Sequence, residues 1–378
     1  MLAEILHART TTRLELAAVT GLSSATVSRA VDTLLAEGVV RETSDIETGL
    51  RGRRAVQIVV VADLAFVSGV DLGASTTRIV IADLLAHPVR VQRLPTPRDL
   101  DPVALAEWLA AQIADVRGDS LSLAAIRVGV PGAVASDDQA VTNAPNLPQV
   151  EDPAFLSTLR RVCGIPLHID NDANYALLGE QKFGAAKDAL SAGMVTIGTG
   201  LGAAIAIDGR IIRGRRGIVG EFGHLLVGPL GTRLENLVTG PMITRRAAEL
   251  GHPLATPAEL FREEAPAQLA PLASEFDHAL LVVLTALIVS SDPAIVVLGG
   301  RIAHSLGPRL AAYEDELERN LHVRVPLALA TLDDYSGAMG AVVASLQGTY
   351  AEMGVPPAQI STLPAARTLD PDELSSEP

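Results

Sequence analysis

Residues 14–42 read LELAAVTGLSSATVSRAVDTLLAEGVVRE. A short helical stretch ends at Gly21, a residue that breaks helices. Ser23 or Ser24 then stands where a helix cap is needed. Val27, Val31, Leu34 and Leu35 recur at helical spacing to about Glu37, and Gly38 stops the helix. With Leu2, Ile5 and Leu6 upstream, the segment predicts three short helices and then a strand. Two readings fit: a generic three-helix bundle, or a helix-turn-helix. In the second, Ser23, Ser24, Thr26, Ser28 and Arg29 form a small polar face that can approach a major groove. Arg29 could read a guanine edge or clamp a phosphate. The next residues decide. Val39 and Val40 open a strand, Ala55–Val61 returns as another, and between them lies TGLRGRR, residues 48–54. An Arg run broken by Gly has no core to serve. Arg51, Arg53 and Arg54 suit a finger lying in a narrow minor groove. Residues 1–61 are therefore read as a winged helix-turn-helix that binds double-stranded DNA.

The charge distribution agrees. The chain carries a net charge of −14, yet residues 1–60 hold seven Arg and seven acidic residues, so the whole excess lies beyond them. An acidic body repels stray phosphate and leaves only a small basic element to touch DNA. The single cysteine, Cys163, excludes a disulfide within the chain and any multi-cysteine zinc site. No uninterrupted apolar run reaches 18 residues, and MLAEILHART lacks the features of a signal peptide. A cytoplasmic protein with no membrane contact is expected.

From Phe66 strands and helices alternate: FVSGVDLG, TRIVIADL and VRVQRL, a helix at 101–116, AAIRVGV, a helix at 153–163, PLHID, and a helix at 172–183. GMVTIG, AAIAID, helices near 240–251, 256–265 and 275–290, AIVVLGG, LALATL and GAMGAVVASLQGTY follow. This alternation predicts a doubly wound α/β architecture. The division expected is 1–61 for the DNA head, 62–353 for the α/β unit, and a disordered tail at 354–378, which is rich in Pro, Ser and acids.

Three Gly-rich turns each follow an apolar strand. VDLGASTTR contributes Asp71, Gly73 and Ser75. TIGTGLGAAI contributes Thr199, Gly200 and Gly202. VVLGGRI contributes Gly299 and Gly300. Such turns present backbone N–H groups to phosphate. In IDNDANYALLGE, Asp172 opens a helix after a strand, at the sheet edge where ligands of α/β folds bind. It is either a helix cap or a base that takes a proton from a sugar hydroxyl as it attacks ATP. Glu221 and His224 in VGEFGHLL, Asn146 in APNLP, Asn171, and Glu235 in RLEN are groups suited to paired hydrogen bonds with a polyol.

In this order the motifs resemble those of the ROK family (repressors, open reading frames and kinases), and the resemblance covers nearly the whole chain. It implies an actin-like, ribonuclease-H-like fold of two lobes, here about 62–170 with 335–353, and 171–334. It implies Asp172 at the base position and Asn146, Asn171, Glu221, His224 and Glu235 as sugar contacts. It also implies a homodimer or dimer of dimers on a palindromic operator. Family kinases carry a cysteine-rich zinc motif before the Leu-Glu pair. Here residues 225–233 read LLVGPLGTR, so no zinc is expected. Ala74 stands in the first phosphate turn, and Ala203 follows Gly202, where kinases tend to have Gly. Both departures work against ATP more than against sugar. The expectation is a repressor controlled by a sugar or sugar derivative, without a cofactor. The alternative is a bifunctional regulator that also phosphorylates its sugar with Mg-ATP.

Overall fold

The computed structural model describes residues 1–43, 56–228, 231–369 and 371–374. The head consists of α1 (Leu2–Ala8), β1 (Thr10–Thr11), α2 (Arg13–Thr20), α3 (Ser24–Ala36), β2 (Val40–Thr43) and β3 (Gln57–Val60). Thr12 and Glu15 cap α2 reciprocally, and Gly21 ends it at φ 68°. Ser23 caps α3 by accepting from the Thr26 amide. β3 lies between β1 and β2 in an antiparallel sheet. Arg51, Arg53 and Arg54 fall in the loop from β2 to β3, outside the described residues.

The first lobe follows as β4 (Phe66–Leu72), β5 (Thr76–Asp83), β6 (Pro88–Pro95), α4 (Pro102–Arg117), β7 (Leu123–Val130), the short pair β8 (Ala133–Val134) and β9 (Val141–Thr142), α5 (Pro153–Cys163) and β10 (Leu167–Asn171). Its sheet runs β10-β7-β4-β5-β6, parallel from β10 to β4 and antiparallel from β4 to β6. α6 (Asp172–Phe183) then leads into the second lobe. That lobe contains β11 (Ala192–Ile197), β12 (Leu201–Ile207), β13 (Arg210–Ile211), β14 (Leu226–Val227), β15 (Thr232–Arg233), α7 (Glu235–Val238), α8 (Gly240–Glu249), α9 (Ala270–Ser291), β16 (Ile295–Gly299), α10 (Leu310–Leu321) and β17 (Leu327–Leu329). Its sheet, β13-β12-β11-β16-β17, repeats the plan of an antiparallel ribbon with parallel strands at the other side. α11 (Ser336–Glu352) and α12 (Pro357–Ile360) return the chain to the first lobe and the head.

Two helices hold the lobes together. α6 and α11 touch backbone to backbone. A methyl at Gly340 would collide with the Tyr175 carbonyl, and one at Gly179 with the Ser336 carbonyl. Gly69 on β4 meets Ala338 in the same way. Beside this contact the buried Glu180 carboxylate accepts from the amides of Ala185 (2.7 Å) and Leu332 (3.0 Å) and from the Ser336 hydroxyl (2.7 Å). A buried carboxylate is tolerated when its lone pairs are all engaged in this way.

Two expectations need correction. The helix expected at 256–265 is only a 3₁₀ turn, Pro257–Phe261, because Pro257 and Pro266 bracket a stretch too short to sustain α-helix. Part of the tail expected to be disordered is packed. Leu363, Leu369 and Leu374 are buried in one apolar cluster with Ile5, Val31, Met339 and Tyr350. Averaged composition hid these leucines, whose spacing follows no regular period. α9 is long and apolar enough to cross a membrane by length and composition. Its Leu272, Phe276, Leu280, Val283, Leu284 and Leu287 are buried in the core of the second lobe.

Candidate functional site

The carboxyl ends of both sheets open onto one cleft of about 220 Å³. Asp71 is the penultimate residue of β4, and the hairpin that follows is closed by the Gly73 amide on the Thr76 carbonyl (3.2 Å). The loop after β9 carries Asn146. Glu151 fixes that loop by accepting from the Ala144 amide at 2.6 Å. Asn171 caps α6 by accepting from the Ala173 and Asn174 amides, and its Nδ2 donates to the Gly132 carbonyl at 2.9 Å. Most of its hydrogen-bonding capacity is thus spent on the fold. Asp172, the next residue, faces the cleft.

The second lobe supplies the opposite wall. Glu221 and His224 flank a single 3₁₀ turn, with Nε2 3.6 Å from the Glu221 carboxylate. Glu235 opens α7. The turn from β11 to β12 brings the walls together. A methyl on Gly200 would lie 3.2 Å from Asn146 Nδ2 and 3.6 Å from Glu235 Oε1, and one on Gly202 would lie 3.9 Å from Asp172 Oδ1. At Gly202 a methyl would also lie 2.6 Å from Thr196 Oγ1, too close to fit, so glycine is needed there; at Gly200 side chains from both lobes come close to the backbone. Among the described residues, no hydrogen bond from another protein group satisfies the side chains of Asn146 or Glu235. Polar groups left open in a concave site are groups available to a ligand.

Burial pushes the Asp172 carboxyl up to about 7, with the charges of Asp71 and Glu221 adding to the effect. Burial also pushes Glu221 up to about 7, aided by Glu235. The far end of the cleft behaves differently. Arg78 Nη1 lies 3.2 Å from Asp71 and its Nη2 lies 2.8 Å from Asp334, which also meets Arg93 at 3.0 Å. Burial raises Asp71, against the pull of Arg78. It works to raise Asp334 as well, but Arg78, Arg93 and Arg301 outweigh it and hold that carboxyl below its usual range.

Thus Asp71, Gly73, Ser75, Asn146, Asn171, Asp172, Thr199, Gly200, Gly202, Glu221, His224, Glu235 and Gly300 line one cleft. Gly299 does not; it is buried as the last residue of β16. Arg78, Arg301 and Asp334 were missed from the sequence. The available signal was an arginine inside a strand whose every residue is buried, which demands a carboxylate partner. Among the described residues, no group of three or more His, Cys, Asp or Glu could hold a metal ion. On the head, Ser23, Ser24, Thr26 and Arg29 are exposed and Ser28 is partly exposed, on the face of α3 away from the core.

The ROK family profile matches residues 67–347, and a winged helix-turn-helix DNA-binding profile matches residues 1–41. The chain belongs to the ROK family. Among ROK relatives it is 29% identical to the xylose repressor of Caldicellulosiruptor bescii, over 60% of this chain and 57% of that one. It is 30% identical to the DNA-binding transcriptional dual regulator NagC of Escherichia coli, over 63% of this chain and 61% of that one. The matched stretch therefore spans about three fifths of each of these relatives. Among solved structures, the ROK hexokinase of Thermus thermophilus is 29% identical and aligns with a TM-score of 0.64 over 76% of this chain and all of that one. A ROK family transcriptional regulator described as a homolog of E. coli MLC shares the fold with a TM-score of 0.74 over 93% of this chain and 94% of that one, at 20% identity.

Proposed function

We propose that this chain is a DNA-binding transcriptional repressor whose operator affinity is controlled by a sugar or sugar derivative bound in the cleft. One observation carries the reading. A winged helix-turn-helix shares a continuous apolar core with a lobe whose cleft keeps open polyol-binding groups at one end and has its charges paired internally at the other. Relatives named as a xylose repressor and as NagC support the combination of sensor and head. Asn146, Asp172, Glu221, His224 and Glu235 hold the sugar hydroxyls, with Asn171 setting the geometry of Asp172. Ser23, Ser24, Thr26, Ser28 and Arg29 enter the major groove, and Arg51, Arg53 and Arg54 follow the wing into the minor groove. A palindromic operator read by a homodimer or a dimer of dimers in the cytoplasm completes the picture.

The test is fluorescence anisotropy on DNA from upstream of the gene, titrated against free sugars, amino sugars and sugar phosphates. One sugar should shift operator affinity by roughly 5–150-fold, the usual size of such a coupling. Affinity unchanged across the whole panel would end the sensor reading.

Asp172 motivates the second reading, a regulator that also phosphorylates its sugar. A carboxylate at the mouth of α6, with its proton affinity raised toward neutrality, has the properties of a general base. The residues around the nucleotide position fit poorly, because Arg78 already engages the Asp71 carboxylate and Ala74 fills space beside the turn. Turnover with Mg-ATP that vanishes in Asp172→Asn would establish this reading.

A further inference from the structure

The C-terminal segment reaches three places, adding to the direct contact of Arg9 on the head with His87 on the first lobe (3.2 Å). At the head, Gln359 Nε2 donates to Glu4 Oε1 on α1 (3.1 Å), and Ile360 packs against the shared cluster. At the first lobe, the Arg367 guanidinium donates to the Ala86 carbonyl (3.2 Å), and Gln347 on α11 donates to the Leu363 carbonyl (3.0 Å). At the end of α6, Lys182 Nζ donates to the Ser361 carbonyl (2.9 Å), the Arg367 amide donates to the Lys182 carbonyl (3.0 Å), and the guanidinium stacks 5.7 Å over the Phe183 ring. Glu373 holds Arg367 in place through two bonds of 2.7 and 2.8 Å. The other end of α6 is Asp172, on the floor of the cleft. A helix of 12 residues spans about 18 Å. Glu180, in the last turn of α6, ties this end of the helix to Leu332, between β17 and α11, and to Ser336, the first residue of α11.

We propose that residues 357–369 with 371–374 form a strap through which the position of α6, and hence the state of the cleft, sets how firmly the head is docked on the first lobe. Lys182, Phe183 and Arg367 make the joint with α6, and Gln359 makes the joint with the head. The strap deepens the sensor reading above and rests on it for its biological sense. The mechanical claim can be tested without knowing the sugar or the operator.

The experiment is hydrogen–deuterium exchange on the full-length chain, read on peptides from residues 1–40. Four proteins are compared: wild type, Asp172→Asn at the cleft end, Gln359→Ala with Arg367→Ala in the strap, and all three together. Cutting the strap should speed exchange in the head roughly tenfold while leaving β7 and β11 protected. Asp172→Asn should alter head exchange when the strap is intact and leave it unaltered when the strap is cut, a non-additivity that reports coupling. Head exchange indifferent to the strap would overturn the proposal. So would an Asp172→Asn effect that is absent from the intact chain or persists in the cut one. Thermal melts of the same proteins across the panel of free sugars, amino sugars and sugar phosphates run alongside. Failure of the whole sugar panel to bind would count against the sensor reading alone, since the exchange data judge the strap by themselves.

Discussion

The two ends of the cleft are built from similar residues and put to opposite uses. At one end Asn146 and Glu235 have no hydrogen-bonding side-chain partner among the described residues, and Glu221 has only a 3.6 Å approach to His224. At the other, Asp71 and Asp334 are bridged by Arg78, and Arg93 adds a second cation. Open groups at a concave surface gain free energy when a ligand arrives, whereas paired ones must first be separated. The same fold can therefore keep one end of its cleft open to a ligand while the other end becomes part of the architecture.

The largest effect should follow from attacking the paired end. Arg78→Met leaves Asp71 and Asp334 without their main cation, and breaking a buried pair costs on the order of 3–5 kcal/mol. Urea denaturation should show that loss. A change under about 1 kcal/mol would mean Arg78 is dispensable, and the contrast between the ends would collapse. At the open end the expectation is reversed. Asn146→Ala and Glu235→Gln should leave stability nearly untouched and weaken sugar binding by roughly 10- to 100-fold each, the value of a hydrogen bond to a polar or charged group. If they destabilise the chain as Arg78→Met does, these groups serve the fold rather than a ligand.

A pH profile sharpens the same contrast. The folded carboxyls of Asp172 and Glu221 are both raised to about 7. The folded state therefore binds more protons than the unfolded one between about pH 4 and 7. Ligand-free stability should fall as pH rises through that window, by on the order of 2–4 kcal/mol, and level off above it. Asp172→Asn should flatten the profile and raise stability at pH 8, as expected when a strained site is relieved. Sugar binding should show the opposite trend and tighten several-fold from pH 6 to 8, because hydroxyls donate to the ionised carboxylates. A flat melting temperature between pH 5 and 8 would mean that neither group is held protonated. The smallest effect concerns the head. Arg53→Ala and Arg54→Ala should each reduce the salt slope of operator binding by about one, while sugar binding stays unchanged. An unaltered slope would remove the wing from the DNA.

Much of this arrangement was legible in the sequence because it is written locally. Gly21, Ser23 and the Val27–Val31 spacing define α3 within a dozen residues, and Asp172 is placed by the strand and helix on either side of it. What stayed hidden depends on distance along the chain. Glu180 finds Ser336 156 residues away, and Arg78 finds Asp334 across most of the α/β unit. Nothing near Glu180 marks it as different from a surface glutamate on a helix. The tail was misjudged for a related reason: Leu363 and Leu369 are isolated among prolines and polar residues, and only the apolar cluster shared by the head and the first lobe gives them a place to be buried.

The backbone contact between α6 and α11 has a consequence for movement. Where side chains interdigitate, helices can slide past one another by changing rotamers, and the interface adapts in small steps. At Gly179 and Gly340 there are no side chains to rearrange. The two helices cannot change their separation, and Glu180 ties α6 to Leu332 and Ser336 at the start of α11, so they turn together rather than past one another. A rotation about that line moves everything attached to both helices at once, with little room for partial answers. A single added methyl at Gly340 would run into the Tyr175 carbonyl oxygen and would force the pair apart.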